Sequence, residues 1–252
     1  MRITPDEIVF FRIPVAGWFH VDISMTLVST WIVMAILFVA CRTITRNFSA
    51  DFRMTRMQNA AEVVVKFLRS QVEGMMGRRA DAFIVLIGSL FVFILASNWS
   101  ALLPIPFMAD GELEWYMPPT ASLSTALALA LVVMCSVVLY GIESQGAAKY
   151  FRKFLRPAFV MLPMNLLSEV SHGVSLALRL YGNIMSGTLV VAILFAIAPL
   201  FVPGLMNVYG LLAGTIQPYI FSMLALVYVS AAVGDPTVRE RTELERIRLY
   251  RI

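Results

Sequence analysis

Charge is what this chain has least of. From Leu180 to Gly234 there is no Asp, Glu, Lys or Arg, and charged residues fill only 14% of the 252 positions against 59% hydrophobic. A soluble domain would be about a quarter charged. With a mean hydropathy of +0.79, that deficit excludes a water-soluble globular fold and implies a chain whose outer surface faces lipid. Cysteine is nearly absent. Cys41 and Cys135 both lie in apolar runs, which excludes a disulfide framework. The two histidines, His20 and His172, are too few and too far apart for a zinc site. No G-x-x-x-x-G-K-[ST] stretch is present, so no P-loop nucleotide site is expected. No repeat, low-complexity stretch or inverted pair of interrupted spans of the transporter kind is found. No cofactor, metal, nucleic-acid partner or catalytic site is expected. Nothing at the amino terminus resembles a cleaved signal, because Asp6, Glu7 and Asp22 precede the first apolar run.

What is there is a set of apolar runs of membrane-spanning length: Ile23 to Cys41, Ala82 to Leu103, Thr120 to Ile142, Ala158 to Ala198 and Leu205 to Gly234. The expected fold is an all-α membrane protein with five transmembrane helices. The fourth run, as one helix, would measure about 60 Å, about twice the hydrocarbon thickness, so it has to tilt, bend or break. The last two runs, residues 158–234, are expected to form a long, tilted antiparallel hairpin. Loop charges orient the chain. Arg42, Arg46, Arg53 and Arg56 follow the first run; Arg78 and Arg79 precede the second; Lys149, Arg152, Lys153 and Arg156 follow the third; Arg239, Arg241, Arg246, Arg248 and Arg251 follow the fifth. The other connections carry no Lys or Arg, and residues 104–119 carry Asp110, Glu112 and Glu114. Five spans put every arginine-rich loop in the cytoplasm. Residues 1–22 then lie outside, with Arg2 and Arg12 as the exceptions to the rule, and residues 235–252 form a cytoplasmic tail. Between the first two runs, residues 56–76 read as an amphipathic helix, with Met57, Ala60, Val64, Leu68, Val72 and Met75 on one face and Glu62, Lys66, Arg69 and Glu73 on the other. Either the cytoplasmic membrane surface or a partner helix satisfies that pattern.

Arg179 is the only basic residue between Arg156 and Arg239. A guanidinium carries its charge throughout the accessible pH range, and holding one near a bilayer midplane costs about 2.5–3.5 kcal/mol on insertion scales. Such a residue reads as part of an ion or substrate pathway. On an ideal helix Asn165, Ser168, Glu169, His172, Ser175, Asn183 and Ser186 fall within roughly 80° of it. That polar stripe cannot face lipid. Glu169 is about 15 Å from Arg179 along the helix axis, too far to pair with it. Thr188 points to the opposite side. Gly173, Gly182 and Gly187 offer close approach to another helix. On the fifth run Asn207, Gln217 and Tyr228 share a face, and Pro218 leaves a gap in the backbone ladder. Two readings stand for several of these residues. His172 is a proton carrier or a hydrogen-bonded packing residue. Gln217 and Asn183 line a path or join helices. Glu169 serves the path or pairs with a basic group on the cytoplasmic side.

At these residues the chain resembles subunit a of the rotary F-type ATP synthases, the membrane stator that faces the c-ring. Ser175-Leu-Ala-Leu-Arg-Leu-Tyr-Gly-Asn183 is similar to that family's signature around its essential arginine, with Glu169 ten residues earlier. Supporting stretches are Ser97-Asn-Trp-Ser-Ala-Leu-Leu-Pro104, Pro119 to Ala130, Tyr140-Gly-Ile142 with Gly146, and Gln217-Pro-Tyr-Ile-Phe221 running into Leu226-Val-Tyr228. The resemblance implies a non-catalytic subunit of the bacterial inner membrane, working with the c-ring, the peripheral-stalk b subunits and the lipid bilayer. It implies two offset half-channels that carry protons to and from a c-ring carboxylate, with Arg179 separating them. Asn165, Glu169 and His172 then belong to the inner half-channel, and Ser175, Asn183 and Gln217 join Arg179 among the ion-translocating residues. Thr188, Asn207, Ser122, Ser124 and Asn98 fall to the outer half-channel. This chain departs from the pattern there: many bacterial members have an acid where Thr188 stands, a histidine or acid where Gly210 stands, and Asp and Asn where Ser122 and Ser124 stand. The weaker acidity leaves sodium open as an alternative coupling ion. A stand-alone secondary transporter, with Arg179 binding an anion, is the alternative of a different class.

Overall fold

The computed structural model describes residues 9–16, 19–46, 56–77, 80–101, 106–109, 112–115, 118–154, 162–197 and 202–233. Helices dominate: α1 (Met25–Arg46), α2 (Arg56–Met76), α3 (Ala80–Ser100), α4 (Leu123–Gln145), α5 (Ala147–Phe154), α6 (Leu162–Ile197) and α7 (Val202–Val233). The apolar runs become helices within a few residues of their expected limits. The main shift is α1, which continues to Arg46 past the end of its run. Four helices are long and apolar enough to cross a membrane: α1, α3, α4 and the Val208–Val233 part of α7. At 36 residues α6 has ample length, but it carries Glu169, Arg179 and the polar stripe. The all-α expectation omitted two short antiparallel hairpins. One pairs β1 (Val9–Ala16) with β2 (Phe19–Ser24), and the other pairs β3 (Pro106–Ala109) with β4 (Glu112–Trp115). The first lies ahead of α1 in a stretch interrupted by Arg12, Pro14 and Asp22, and the second lies between α3 and α4 in a short stretch carrying Asp110, Glu112 and Glu114. The tail 235–252 and Arg53, Arg78, Arg79 and Arg156 lie outside the described residues.

One core joins α2, α3, α4, α6 and α7. It includes Val72, Met76, Ile87, Ile94, Val133, Val137, Leu176, Leu180, Phe221, Leu226 and Val229. Outside it, large apolar side chains stand exposed, Trp31 and Phe38 of α1 and Leu139 of α4 among them. In a membrane chain that is the expected distribution, because lipid replaces water around the bundle.

Hydrogen bonds fix which helix ends meet. Ser144 Oγ and Gln145 Nε2 at the end of α4 donate to the carbonyls of Val233 and Ala232 at the end of α7, at 3.2 and 2.6 Å. The ring of Tyr140 packs on Phe83 near the start of α3, with centroids 4.7 Å apart. At the opposite end, Asn98 of α3, Thr120 and Gly214 of α7 are joined. So α4 and α7 run parallel, with α3 antiparallel to both. Lys149 and Arg152 on α5 lie beside the first of these ends.

The amphipathic helix is found at Arg56–Met76, as the pattern predicts. Its buried stripe is rotated from the expected face: Leu68, Val72 and Met76 are buried, whereas Met75 and Ala60 are exposed. The reason is docking. The helix lies against α3 and touches α7 through Phe67 and Tyr219, whose ring centroids are 5.7 Å apart. Arg69 bonds Glu73 at 2.6 Å and Asp81 of α3 at 2.9 Å. Those two carboxylates hold its guanidinium above the ordinary arginine range, through the hydrogen bond to Glu73 first and the charge of Asp81 next.

The turn from α4 to α5 explains two glycines. Gly146 has φ +81°, a conformation that side chains disfavour, and its N–H caps Ile142. Gly141 receives the buried ring of Tyr150, and a Cβ there would overlap that ring. Gly141→Ala is therefore expected to destabilise the chain by about 1–3 kcal/mol, the usual range for overpacking. Gly88→Ala, with nothing within 4 Å of the added carbon in the interior of α3, is expected to cost nothing and to stabilise by up to about 1 kcal/mol. The midpoint of thermal unfolding in detergent for the two variants decides it.

Candidate functional site

The site is built on α6, which has two unlike faces. Gly173, Leu176, Ala177 and Leu180 are buried against the rest of the bundle. Gly173 is the contact that needs its small size, since a Cβ there would come within 2.9 Å of Met134 Cγ on α4. Gly182 and Gly187, expected to play the same part, have nothing within 4 Å of an added Cβ. The other face is open. Ser168, His172, Ser175 and Arg179 are exposed along it, interleaved with Leu167, Val170, Val174 and Leu178, which are also exposed. Ser171, Ser175 and Arg179 share with Leu167, Val170, Val174 and Leu178 one open, shallow surface along this face. The polar stripe thus points out of the chain, and among the described residues no carboxylate pairs with Arg179.

Toward the start of α6, Asn165 and Glu169 are half-buried. Burial raises the Tyr150 hydroxyl above the ordinary phenol range, and the Glu169 carboxylate nearby raises it further. Tyr150, which the sequence did not single out, therefore belongs to the surroundings of Glu169. The imidazole of His172 stacks on Tyr228 of α7, with centroids 4.7 Å apart and planes 13° from parallel. That contact sets the register of the antiparallel α6–α7 pair. At equal rise along both helices, Arg179 comes level with Phe221, and Gln217 with Asn183. Gln217 thus lies about 6 Å further along the axis than Arg179. It is 5% exposed, and its Nε2 has no hydrogen-bond partner among the described residues. The hydroxyls of Ser97 and Ser222 are buried and unpartnered as well. Three such groups in one small bundle call for water or a partner. No residue pattern flagged Ser222, a single small polar residue in an apolar run.

At the far end, the outer residues expected from the sequence come together in part. Thr120 Oγ1 donates to Asn98 Oδ1 at 2.8 Å, and Asn98 Nδ2 donates to the Gly214 carbonyl at 3.0 Å. Ser122 and Ser124 share a hydrogen bond of 2.5 Å. Ser186 donates to the Asn183 carbonyl at 3.1 Å. The side chains of Thr188 and Asn207 lie outside the described residues. Among the described residues no group of His, Cys, Asp and Glu could hold a metal ion.

Comparison with known proteins agrees with this architecture. A profile of the family described as ATP synthase A chain matches residues 27–230. The ATP synthase subunit a 2 of Acaryochloris marina is 42% identical over 232 residues, 92% of this chain and 93% of its own length. The subunit a 1 of Prosthecochloris aestuarii is 39% identical over 92% of this chain and 97% of its own. The subunit a of Nitrosospira multiformis is 38% identical over 93% and 88%. A family match across most of the chain, with relatives of full length at this identity, is sufficient: the chain belongs to the ATP synthase A chain family, the non-catalytic membrane subunits called subunit a.

Proposed function

We propose that this chain is the ion-translocating stator of a rotary ATP synthase and that Arg179 is its fixed charge against the c-ring. The observation that carries the reading is the exposure of Arg179 on the outward face of α6 while the opposite face packs into the bundle. A guanidinium bordered by exposed Leu and Val, at the depth of an apolar helix, needs an anion from outside the chain. A membrane carboxylate on a passing c-subunit supplies one. The arginine favours the ionised form of that carboxylate, so an ion leaves it on approach and a new one is taken up after passage. It also stops direct leakage, because a cation meets a cation there. Each elementary charge crossing the membrane releases about 2.3 kcal/mol per 100 mV, which drives rotation.

In this reading α6 counts as the fourth of five spans, and residues 158–234 form the translocating hairpin. The inner half-channel runs past Asn165, Glu169 and His172, with Ser175, Asn183 and Gln217 near the arginine. The outer one draws on Thr188, Asn207, Ser122, Ser124 and Asn98. The buried, unpartnered Gln217 Nε2 supports a hydrated path there. The meeting of the α4 and α7 ends near Lys149 and Arg152 supports a shared cytoplasmic side, with residues 1–22 outside and 235–252 inside. The complex is that of a bacterial inner membrane, held by the b subunits, and the coupling ion is the proton.

Three outcomes are expected. Inverted vesicles in sodium-free buffer acidify on ATP addition, and Arg179→Ala loses this by at least about a hundredfold while the complex still assembles; normal pumping by that variant would leave Arg179 a structural charge. Acidification that requires added sodium would replace the proton by sodium as the coupling ion. With Cys41 and Cys135 changed to Ser, a single cysteine at position 3 is labelled by an impermeant maleimide from outside, and one at position 245 only from inside; the reverse pattern would invert the topology.

A further inference from the structure

Pro218 stands inside α7. A helical N–H at that position would donate to the carbonyl four residues earlier, but proline has no N–H. The acceptor left without its helical donor is the carbonyl of Gly214. In an apolar surrounding such an orphan is costly. The structure supplies a replacement from another helix: Asn98 Nδ2 of α3 donates to Gly214 O at 3.0 Å. The amide is held for this task, because its Oδ1 accepts from the fully buried Thr120 hydroxyl at 2.8 Å. Asn98 itself is only 7% exposed. The approach is close, since a Cβ on Gly214 would be 3.4 Å from Asn98 Cβ. One residue on, Trp99 Nε1 donates to Thr215 Oγ1 at 3.1 Å, and that hydroxyl in turn donates to the Leu211 carbonyl. Two adjacent side chains of α3 therefore grip α7 immediately before the proline.

We propose that Asn98 is a positioning residue: it supplies the hydrogen bond that Pro218 removes from the helical rung of Gly214, and so sets where Gln217, which directly precedes the proline in that rung, faces α6. Each polar end of the Asn98 amide is engaged, so among the residues assigned to the outer half-channel Asn98 is the one that holds the α7 backbone instead of passing the ion. The inference rests on the ion-path reading for Gln217, but its own test is separate. The test is a double-variant cycle in the complete ATP synthase in inverted vesicles: wild type, Asn98→Leu, Pro218→Ala and both together. Acidification per ATP hydrolysed is read in each, with the amount of the chain in the membrane. Asn98→Leu is expected to lower the ratio about tenfold or more, because a buried acceptor is left unsatisfied. Pro218→Ala restores the helical N–H, so the double variant is expected to match Pro218→Ala to within about twofold.

A defect of Asn98→Leu that persists in the Pro218→Ala background would overturn the proposal and return Asn98 to direct lining of the path. So would an unchanged ratio in Asn98→Leu, or a fall in pumping that only follows the fall in hydrolysis and chain. Should either single variant fail to accumulate, recovery of the chain in the double variant supports the clasp, and continued loss overturns it. Arg179→Ala, by contrast, tests the ion path alone.

Discussion

In a bilayer, neither a charge nor a backbone carbonyl can fall back on water. That constraint organises this subunit. It forces nearly all of the described chain into helices that satisfy their own backbone, and it makes each exception costly enough to need a specific partner. Two exceptions matter most. One is a guanidinium on an apolar helix, with which no carboxylate among the described residues pairs. The other is a carbonyl freed by a proline, whose partner is an amide on the neighbouring helix. The first opens the molecule outward and the second closes it inward, and α6 and α7 are shaped by these opposite demands.

The two faces of α6 follow from the same principle. Small and apolar residues at Gly173, Leu176, Ala177 and Leu180 let the helix pack close to α4 and α7. The polar residues, spaced by the helical repeat, are then carried to the other side. Among the described residues nothing covers Ser168, Ser175 or Arg179. A soluble protein would tolerate such a face in water; a membrane subunit needs another protein on it. The described part of the molecule is thus half of a site, with its bundle serving as the rigid back of an interface.

Much of this was legible in the sequence, for physical reasons. Long apolar runs have few solutions in lipid, so the helices, their order and their limits followed directly. A helical repeat of polar residues around one arginine located the exposed polar face of α6. What escaped was set by tertiary contact. The buried stripe of α2 was rotated by its docking on α3, because several faces of that helix carry apolar residues and periodicity alone does not choose between them. Gly182 and Gly187 read like Gly173, yet only Gly173 has a neighbour close enough to need it. The hairpins at Val9–Ser24 and Pro106–Trp115 lie in segments whose mixed composition carries no strong period. The tie between Asn98 and Gly214 joins residues 116 positions apart, and no local pattern reports such a pair.

The ends of α7 give the bundle a mechanical property. The helix is held near Gly214 by Asn98 and at Ala232 and Val233 by Gln145 and Ser144. These anchors are about 27 Å apart along the axis. Sliding α7 by a single residue, about 1.5 Å, breaks both at once. Sideways bending leaves them largely intact. A load applied to this helix pair therefore meets a strut that resists axial sliding and yields by bending between its two anchors.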